Sequence, residues 1–163
     1  MNKRMHRVLV ADDHSVVRRG IVALLDQQED IAVVGQAGDG EAAVKLAAEL
    51  RPDVVILDVR MPGMGGVEAC SRIREVSPES RVVFFTSFPD EEALVGAMLA
   101  GASGFILKNL PDDSLVKAIR AVARGESILD HPWGLRWHQA CAGWRQERRQ
   151  GARRARPGSP TWT

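Results

Sequence analysis

The chain has 163 residues, of which 45% are hydrophobic and 26% charged, and it carries a formal net charge of +1 at pH 7. This length suits one domain with a substantial core and leaves little room for a second full domain. The sequence lacks the run of about 18 uncharged apolar residues that a membrane-spanning helix needs, the apolar segment of a signal peptide, and enough cysteines for a disulfide framework or a zinc site. We therefore expect a cytoplasmic protein.

Five short apolar runs alternate with amphipathic stretches in the first 128 residues. The runs occupy residues 8–11, 31–34, 54–57, 82–85 and 105–107. Each run is apolar throughout, which is typical of parallel strands that are buried on both faces. Apolar residues between the runs follow helical spacing. Three such stripes are Val17, Ile21, Leu24 and Leu25; Val67, Cys70 and Ile73; and Leu115, Ile119 and Val122.

Turn-forming residues separate these elements. Pro52 and Pro78 precede the third and fourth runs, Gly101 precedes the fifth, and Pro111 opens the last helix. Parallel strands joined by helices form right-handed crossovers. The sequence therefore predicts an α/β fold of about 120 residues, a (βα)5 doubly wound parallel five-stranded sheet in a three-layer α/β/α sandwich. The pattern does not fix the order of the strands.

Charged and hydroxyl side chains follow four of the five runs. Asp12 and Asp13 follow the first run, Asp58 the third, Thr86 the fourth and Lys108 the fifth. The carboxyl ends of parallel strands meet at one edge of a sheet, and ligands bind there. We therefore expect three carboxylates, one hydroxyl and one ammonium group to lie close together.

This combination predicts a site that accepts a phosphoryl group. Clustered carboxylates repel one another, and a hard, oxygen-seeking cation such as Mg²⁺ relieves the repulsion. Asp58 is then the nucleophile, while the metal and Lys108 balance the charge on the phosphoryl oxygens and the Thr86 hydroxyl binds one of them. The glycines at positions 63, 65 and 66 match neither a dinucleotide-binding nor a Walker pattern, so no nucleotide site is predicted.

Four segments together are highly specific for one family. They are VLVADDHSVVRRG at 8–20, PDVVILDVRMPGMGG at 52–66, FFTSF at 84–88 and GASGFILK at 101–108. In these segments the chain resembles the receiver domain of bacterial two-component response regulators, and most closely the LuxR-type (NarL/FixJ-like) subfamily, whose members end in a helix-turn-helix. The resemblance covers residues 5–128 and implies the flavodoxin-like receiver fold.

The resemblance also implies a metal site and a phosphoacceptor. Asp12 and Asp13 would bind Mg²⁺ together with Asp58 and the backbone carbonyl of Arg60. Asp58 would accept a phosphoryl group from a sensor histidine kinase. A receiver of this kind is not a conventional enzyme, but a phosphoacceptor that assists its own Mg²⁺-dependent phosphotransfer and dephosphorylation.

A conformational switch is implied by the same resemblance. Thr86 would be the switch hydroxyl, Phe105 the switch aromatic that turns inward behind it, and Lys108 the cation that binds the phosphate. The output face would comprise the fourth helix, fifth strand and fifth helix, and the resemblance implies that a homodimer forms through it. One departure concerns the loop after Lys108, where many receivers have a cis-proline and this chain has Asn109, with Pro111 two residues later. A non-proline cis bond costs about 3–4 kcal/mol, so we expect that loop to differ in shape.

The composition changes near residue 129. Residues 129–163 contain seven arginines, all four tryptophans and two acidic side chains, with almost no Val, Ile or Leu. Such a basic Arg/Trp/Gly/Pro-rich tail cannot bury a core and is predicted to be disordered. It contains no candidate recognition helix, so we expect the helix-turn-helix output domain to be missing and DNA to be a doubtful partner. We interpret the tail as a truncated or out-of-frame end of a longer gene.

Three functions compete for this sequence. The first is a phosphorelay receiver that switches conformation when Asp58 is phosphorylated. The alternative is a DNA-binding transcriptional regulator of the LuxR-type subfamily whose output domain is truncated or frame-shifted. The third, an aspartyl-phosphate phosphatase, needs a second acid two residues beyond its nucleophile, and Arg60 occupies that position. His14 is interpreted as the start of the first helix near the metal site rather than as a phosphodonor.

Overall fold

A computed structural model describes residues 5–87, 91–108 and 112–128 of the chain. Within these ranges five strands alternate with five helices. The predicted tail, residues 129–163, and the loop from Asn109 to Pro111 lie outside the described residues. The described helices have at most twelve residues, and none of them is long and apolar enough to cross a membrane.

Each predicted apolar run lies within one observed strand. The strands are β1 (His6–Ala11), β2 (Ile31–Ala37), β3 (Val54–Leu57), β4 (Arg81–Thr86) and β5 (Gly104–Leu107). The helices are α1 (Ser15–Asp26), α2 (Gly40–Leu50), α3 (Gly66–Val76), α4 (Glu91–Leu99) and α5 (Asp112–Ala123). The sequence therefore predicted every strand at its place in the chain.

Strand β2 continues three residues beyond its predicted end. Its pairing with β1 shifts register after Val8, which pairs with Val33, whereas Leu9 pairs with Gly35. The extra residue forms a bulge, and the parallel ladder then continues to Ala37. The apolar pattern missed this extension because β2 is an edge strand whose middle residues are only half-buried.

The sheet has the order β2-β1-β3-β4-β5, and all neighbouring strands are parallel. Side chains from α2, α3 and α4 pack in a hydrophobic cluster on one face, and side chains from α1 and α5 pack on the other. Residues of β1 and β3 contribute alternately to the two clusters, as Leu9 and Val10 illustrate. The three-layer, doubly wound α/β fold is thus confirmed.

The strand order reverses between β1 and β3. From β1 the chain crosses to β2 at one edge, and from β3 it proceeds in the opposite direction to β4 and β5. The segments that follow β1 and β3 therefore diverge, and the crevice between them is where parallel sheets of this kind bind ligands. Asp12 and Asp58 follow these two strands directly.

Candidate functional site

Backbone pairing fixes the first two carboxylates of the site. The amide of Asp12 donates to the carbonyl of Ala37, and the amide of Asp58 donates to the carbonyl of Ala11, each at 3.1 Å. The ladder thus extends one residue beyond β1 and β3 and holds both aspartates at the carboxyl edge. Their side chains are buried, with 2% of Asp12 and 7% of Asp58 exposed.

Lys108 joins these two carboxylates. Its Nζ atom donates to Asp12 Oδ2 at 2.8 Å and to Asp58 Oδ2 at 2.9 Å. Burial lowers the pKa of Lys108, but the hydrogen bonds to Asp12 and Asp58 outweigh that effect and raise the pKa above its ordinary value. The backbone amide of Lys108 donates to the carbonyl of Thr86 at 2.8 Å, which fixes the lysine at the end of β5. The ammonium group is therefore a stable positive charge between two buried negative ones.

Asp13 completes the acidic pocket. Ligand atoms of Asp12, Asp13, His14 and Asp58 all lie within 4.8 Å of one another. Asp13 Oδ1 is buried and has no hydrogen-bond partner among the described residues. A buried carboxylate oxygen without a hydrogen bond is costly, and a bound cation would compensate for the loss. The residues present therefore fit a hard divalent cation.

Arg18 and Arg60 orient the aspartates through the backbone. Arg18, in the first turn of α1, donates from Nη1 to the carbonyl oxygen of Asp12 at 2.7 Å. The amide of Arg60 donates to Asp58 Oδ1 at 3.2 Å. Sequence reasoning missed the Arg18 contact, because an arginine three residues into a helix carries no signal of its own about the preceding turn.

Gly66 allows α3 to begin directly against the backbone of Asp58. A Cβ atom at this position would overlap the carbonyl oxygen of Asp58 and come within 2.9 Å of Val59 Cα. The amide of Gly66 donates to the Val59 carbonyl at 2.9 Å. Gly66 therefore permits a close backbone approach that a residue with a side chain would prevent.

A cavity of about 250 Å³ opens beside these groups. It is lined by His14, Val17, Asp58, Arg60, Thr86, Ser87 and Lys108. Thr86 ends β4, is 4% exposed and forms part of the wall of the cavity. Val17 belongs to the apolar stripe that the sequence predicts for the first helix. In the structure it also lines the cavity, which helical spacing alone does not indicate.

Phe105 lies inward and forms part of the hydrophobic core. It is 6% exposed, and its ring centroid lies 6.1 Å from that of Phe84 at an interplanar angle of 33°. Phe84 and Phe105 are also register partners in the β4–β5 ladder, as are Thr86 and Leu107. The backbone of Thr86 is therefore joined to β5 through the β4–β5 ladder.

Comparison with known proteins gives consistent matches. Residues 8–120 match the family described as response regulator receiver domain. The oxygen regulatory protein NreC of Staphylococcus epidermidis is 46% identical over 125 residues, a match that covers 76% of this chain and 57% of NreC. The chain thus spans less than two thirds of the length of this relative.

Solved structures agree with these matches. The signal receiver domain of the putative response regulator NarL from Mycobacterium tuberculosis superimposes with a TM-score of 0.72 at 36% identity, covering 76% of this chain and 99% of that one. A LuxR-family two-component response regulator from Aurantimonas sp. SI85-9A1 gives a TM-score of 0.73 at 33% identity, covering 86% and 98% respectively.

Proposed function

This chain belongs to the response regulator receiver domain family, and from that membership we propose that Asp58 is the residue that accepts the phosphoryl group. Receiver domains take this group from sensor histidine kinases, so a kinase of that class is the proposed partner and the cytoplasm the proposed location. The observation that supports the assignment is the position of Asp58 at the strand-order reversal, hydrogen-bonded to Lys108 and beside Asp12 and Asp13. We further propose that the receiver unit spans residues 5–128.

The transfer needs an oxygen nucleophile and compensation for phosphoryl charge. The Asp58 carboxylate forms a bond to phosphorus while the bond between phosphorus and the donor's imidazole nitrogen breaks. Asp12, Asp13, Asp58 and the carbonyl of Arg60 would hold Mg²⁺, which supplies positive charge beside the phosphoryl oxygens. The hydrogen bond that the Arg60 amide donates to Asp58 Oδ1 keeps the nucleophile oriented toward the cavity.

Lys108 and Thr86 bind the transferred group in this mechanism. The Lys108 ammonium already donates to Asp58 Oδ2, so a phosphoryl group on Asp58 lies within its reach. Because Lys108 is only 15% exposed, its charge acts with little screening by water. The Thr86 hydroxyl donates to another phosphoryl oxygen and thereby pulls the end of β4 toward the site.

The switch follows from the pairing of β4 with β5. A movement of Thr86 acts on Leu107, its register partner, and on Phe105 two residues earlier. Phosphorylation thereby shifts a pre-existing equilibrium at the face formed by α4, β5 and α5. That face is the proposed surface for homodimer formation.

A DNA-binding regulator is the second candidate. The LuxR-family assignment of the Aurantimonas protein and the oxygen regulatory role named for NreC favour it. Because this chain spans 57% of NreC, the activity of the whole relative is transferred here only as a proposal. A gel-shift titration with phosphorylated protein distinguishes the candidates, since sequence-specific binding that persists at high salt requires base contacts.

The primary function is tested with acetyl phosphate as a small phosphodonor. Wild-type protein with Mg²⁺ is expected to gain one phosphoryl group by intact mass, and Asp58→Asn is expected to gain none. Asp26→Asn is the matched control, because Asp26 is exposed at the end of α1, and it is expected to react like the wild type. Equal phosphorylation of Asp58→Asn and the wild type would refute the assignment.

A further inference from the structure

His14 occupies the N-cap position of α1 but does not cap the helix. Its backbone is extended, with φ −87° and ψ 106°, and its side chain makes no capping hydrogen bond. N-cap positions favour Ser, Thr, Asp and Asn, whose side-chain oxygens accept from the first helical amides. The imidazole instead points toward the acidic pocket, where Nδ1 lies 3.1 Å from Asp13 Oδ1 and 3.4 Å from Asp12 Oδ1.

The contact between His14 and Asp13 is not a hydrogen bond. Asp13 Oδ1 has no hydrogen-bond partner among the described residues, although His14 Nδ1 lies within hydrogen-bond distance of it. The two atoms lie side by side, 3.1 Å apart, and a neutral imidazole can offer Nδ1 to a cation bound next to Asp13. Neighbouring ligand atoms of an octahedral ion with bonds of about 2.1 Å lie about 3.0 Å apart, close to the separation observed.

The oxygens of the pocket divide into two sides. Lys108 contacts Oδ2 of Asp12 and Oδ2 of Asp58. His14 faces Oδ1 of Asp12 and Oδ1 of Asp13. A cation bound on the Oδ1 side would therefore lie beside the imidazole of His14 and leave Lys108 in place. With 67% of its side chain exposed, His14 can also adjust its ring without repacking the core.

We propose that His14 supplies a nitrogen ligand to the cation site of Asp12, Asp13 and Asp58, and that it raises the affinity for Co²⁺, Ni²⁺ and Zn²⁺ relative to Mg²⁺. This inference rests on the proposed function, since it assumes that the pocket binds a divalent cation. Imidazole nitrogen suits these transition metals, whereas Mg²⁺ prefers oxygen and retains water in place of nitrogen. His14 thus determines metal selectivity rather than the capacity to bind metal.

The test compares Co²⁺ and Mg²⁺ binding by calorimetry, with the visible absorption of Co²⁺ as a second readout of nitrogen coordination. All titrations use the full chain and, in parallel, a background with His131→Ala, His138→Ala and Cys141→Ser, because those side chains can bind Co²⁺ themselves. His14→Phe keeps a ring but has no nitrogen, and His14→Ala removes the ring. His6→Ala is the matched control on β1.

In both His14 variants the Kd for Co²⁺ is expected to rise about tenfold or more, since even outer-shell partners of metal sites contribute 10–100-fold. The Kd for Mg²⁺ is expected to change less than about twofold, because Mg²⁺ prefers oxygen ligands and would retain water in place of the imidazole. The Co²⁺ spectrum should also change in both variants and remain unchanged in His6→Ala. Equal changes for the two metals, or no change for Co²⁺, would overturn the role of His14.

Failure of this inference is distinguishable from failure of the proposed function. If Asp13→Asn weakens Mg²⁺ binding while His14→Phe leaves Co²⁺ binding unchanged, the cation site stands and only the nitrogen ligand is wrong. If neither metal binds the wild-type chain, or binding is indifferent to Asp13→Asn, the cation site and the role of His14 both fail. Phosphorylation of Asp58 by acetyl phosphate reports on the phosphoacceptor separately.

Discussion

Replacing Lys108 by Met should destabilise the protein strongly in the absence of divalent metal. The substitution keeps the length of the side chain but leaves the carboxylates of Asp12 and Asp58, 2% and 7% exposed, without their cation. Removal of one partner from a buried ion pair costs about 3–5 kcal/mol, because the remaining charge is left buried and uncompensated. Water can enter through the adjoining cavity, so we expect the lower end of that range, about 3 kcal/mol.

Lys117→Met is the matched control. Lys117 pairs with Asp113 four residues earlier on α5, but these side chains are 76% and 66% exposed. Exposed pairs of this kind contribute about 0.3–0.5 kcal/mol. Urea unfolding followed by circular dichroism, in buffer with a chelator, should therefore separate the two variants by more than 2 kcal/mol.

Magnesium provides the second half of this test. In the wild type Lys108 already neutralises Asp12 and Asp58, whereas in Lys108→Met a bound metal ion would replace the positive charge that the lysine supplied. Mg²⁺ should therefore stabilise Lys108→Met more than the wild type, and a tenfold tighter Kd corresponds to about 1.4 kcal/mol at saturating metal. The reasoning is refuted if the unfolding free energies of Lys108→Met and Lys117→Met differ by less than about 1 kcal/mol. It is also refuted if Mg²⁺ raises the unfolding free energies of Lys108→Met and the wild type equally.

Three further perturbations follow from the structure. The hydrogen bond from Arg120 lowers the pKa of Asp30, so the pair stabilises the fold above the unfolded pKa of about 3.9 and loses its effect as the pH falls through the lower, folded value. Arg120→Met should therefore lower the free energy of unfolding by about 0.2–1 kcal/mol at pH 7 and by almost nothing at the lowest pH. A pH-independent loss in urea titrations would contradict this. Burial raises the pKa of Cys70 to about 12, so iodoacetamide at pH 8 should label this thiol far more slowly in the native protein than in urea. Equal labelling rates of Cys70, measured by peptide mass spectrometry, would disprove its protection. Gly66→Ala should slow phosphorylation by acetyl phosphate, because the added Cβ would displace α3 from Asp58. Gly20→Ala, whose Cβ meets nothing within 4 Å, should leave the rate unchanged and stabilise α1 by about 0.4–1 kcal/mol. Equal rates in the two variants would count against the close approach.

The fold was predictable because its strands carry a simple signal. Strands β1 and β3 are buried on both faces, so every residue of Val54–Leu57 is apolar, and the run alone defines the element. Edge strand β2 is half-buried and bulged, and its end was correspondingly misplaced. Strand order could not be predicted, since an apolar run records that a strand is buried but not which strands lie beside it.

The sequence also identified the residues that the fold brings together at the carboxyl edge. Asp12, Asp58 and Lys108 each follow a strand directly, and Asp13 comes next to Asp12, so their convergence depended on the strands being parallel. The contacts of His14 and Arg18 depend on the shape of the turn between β1 and α1 and on side-chain rotamers. The sequence placed His14 near the metal site, but no periodicity indicates its contact with Asp13 or the contact of Arg18 with Asp12.

The most direct measurement locates the phosphoryl group within the chain. After reaction with acetyl phosphate and Mg²⁺, borohydride reduction converts an aspartyl phosphate to homoserine, which peptide mass spectrometry assigns to one position. The account predicts homoserine at residue 58 alone, in an amount that falls when Mg²⁺ is chelated and that is absent from Asp58→Asn. Homoserine at residue 12 or 13, or none in folded protein that binds Mg²⁺, would contradict the assignment of Asp58 as phosphoacceptor.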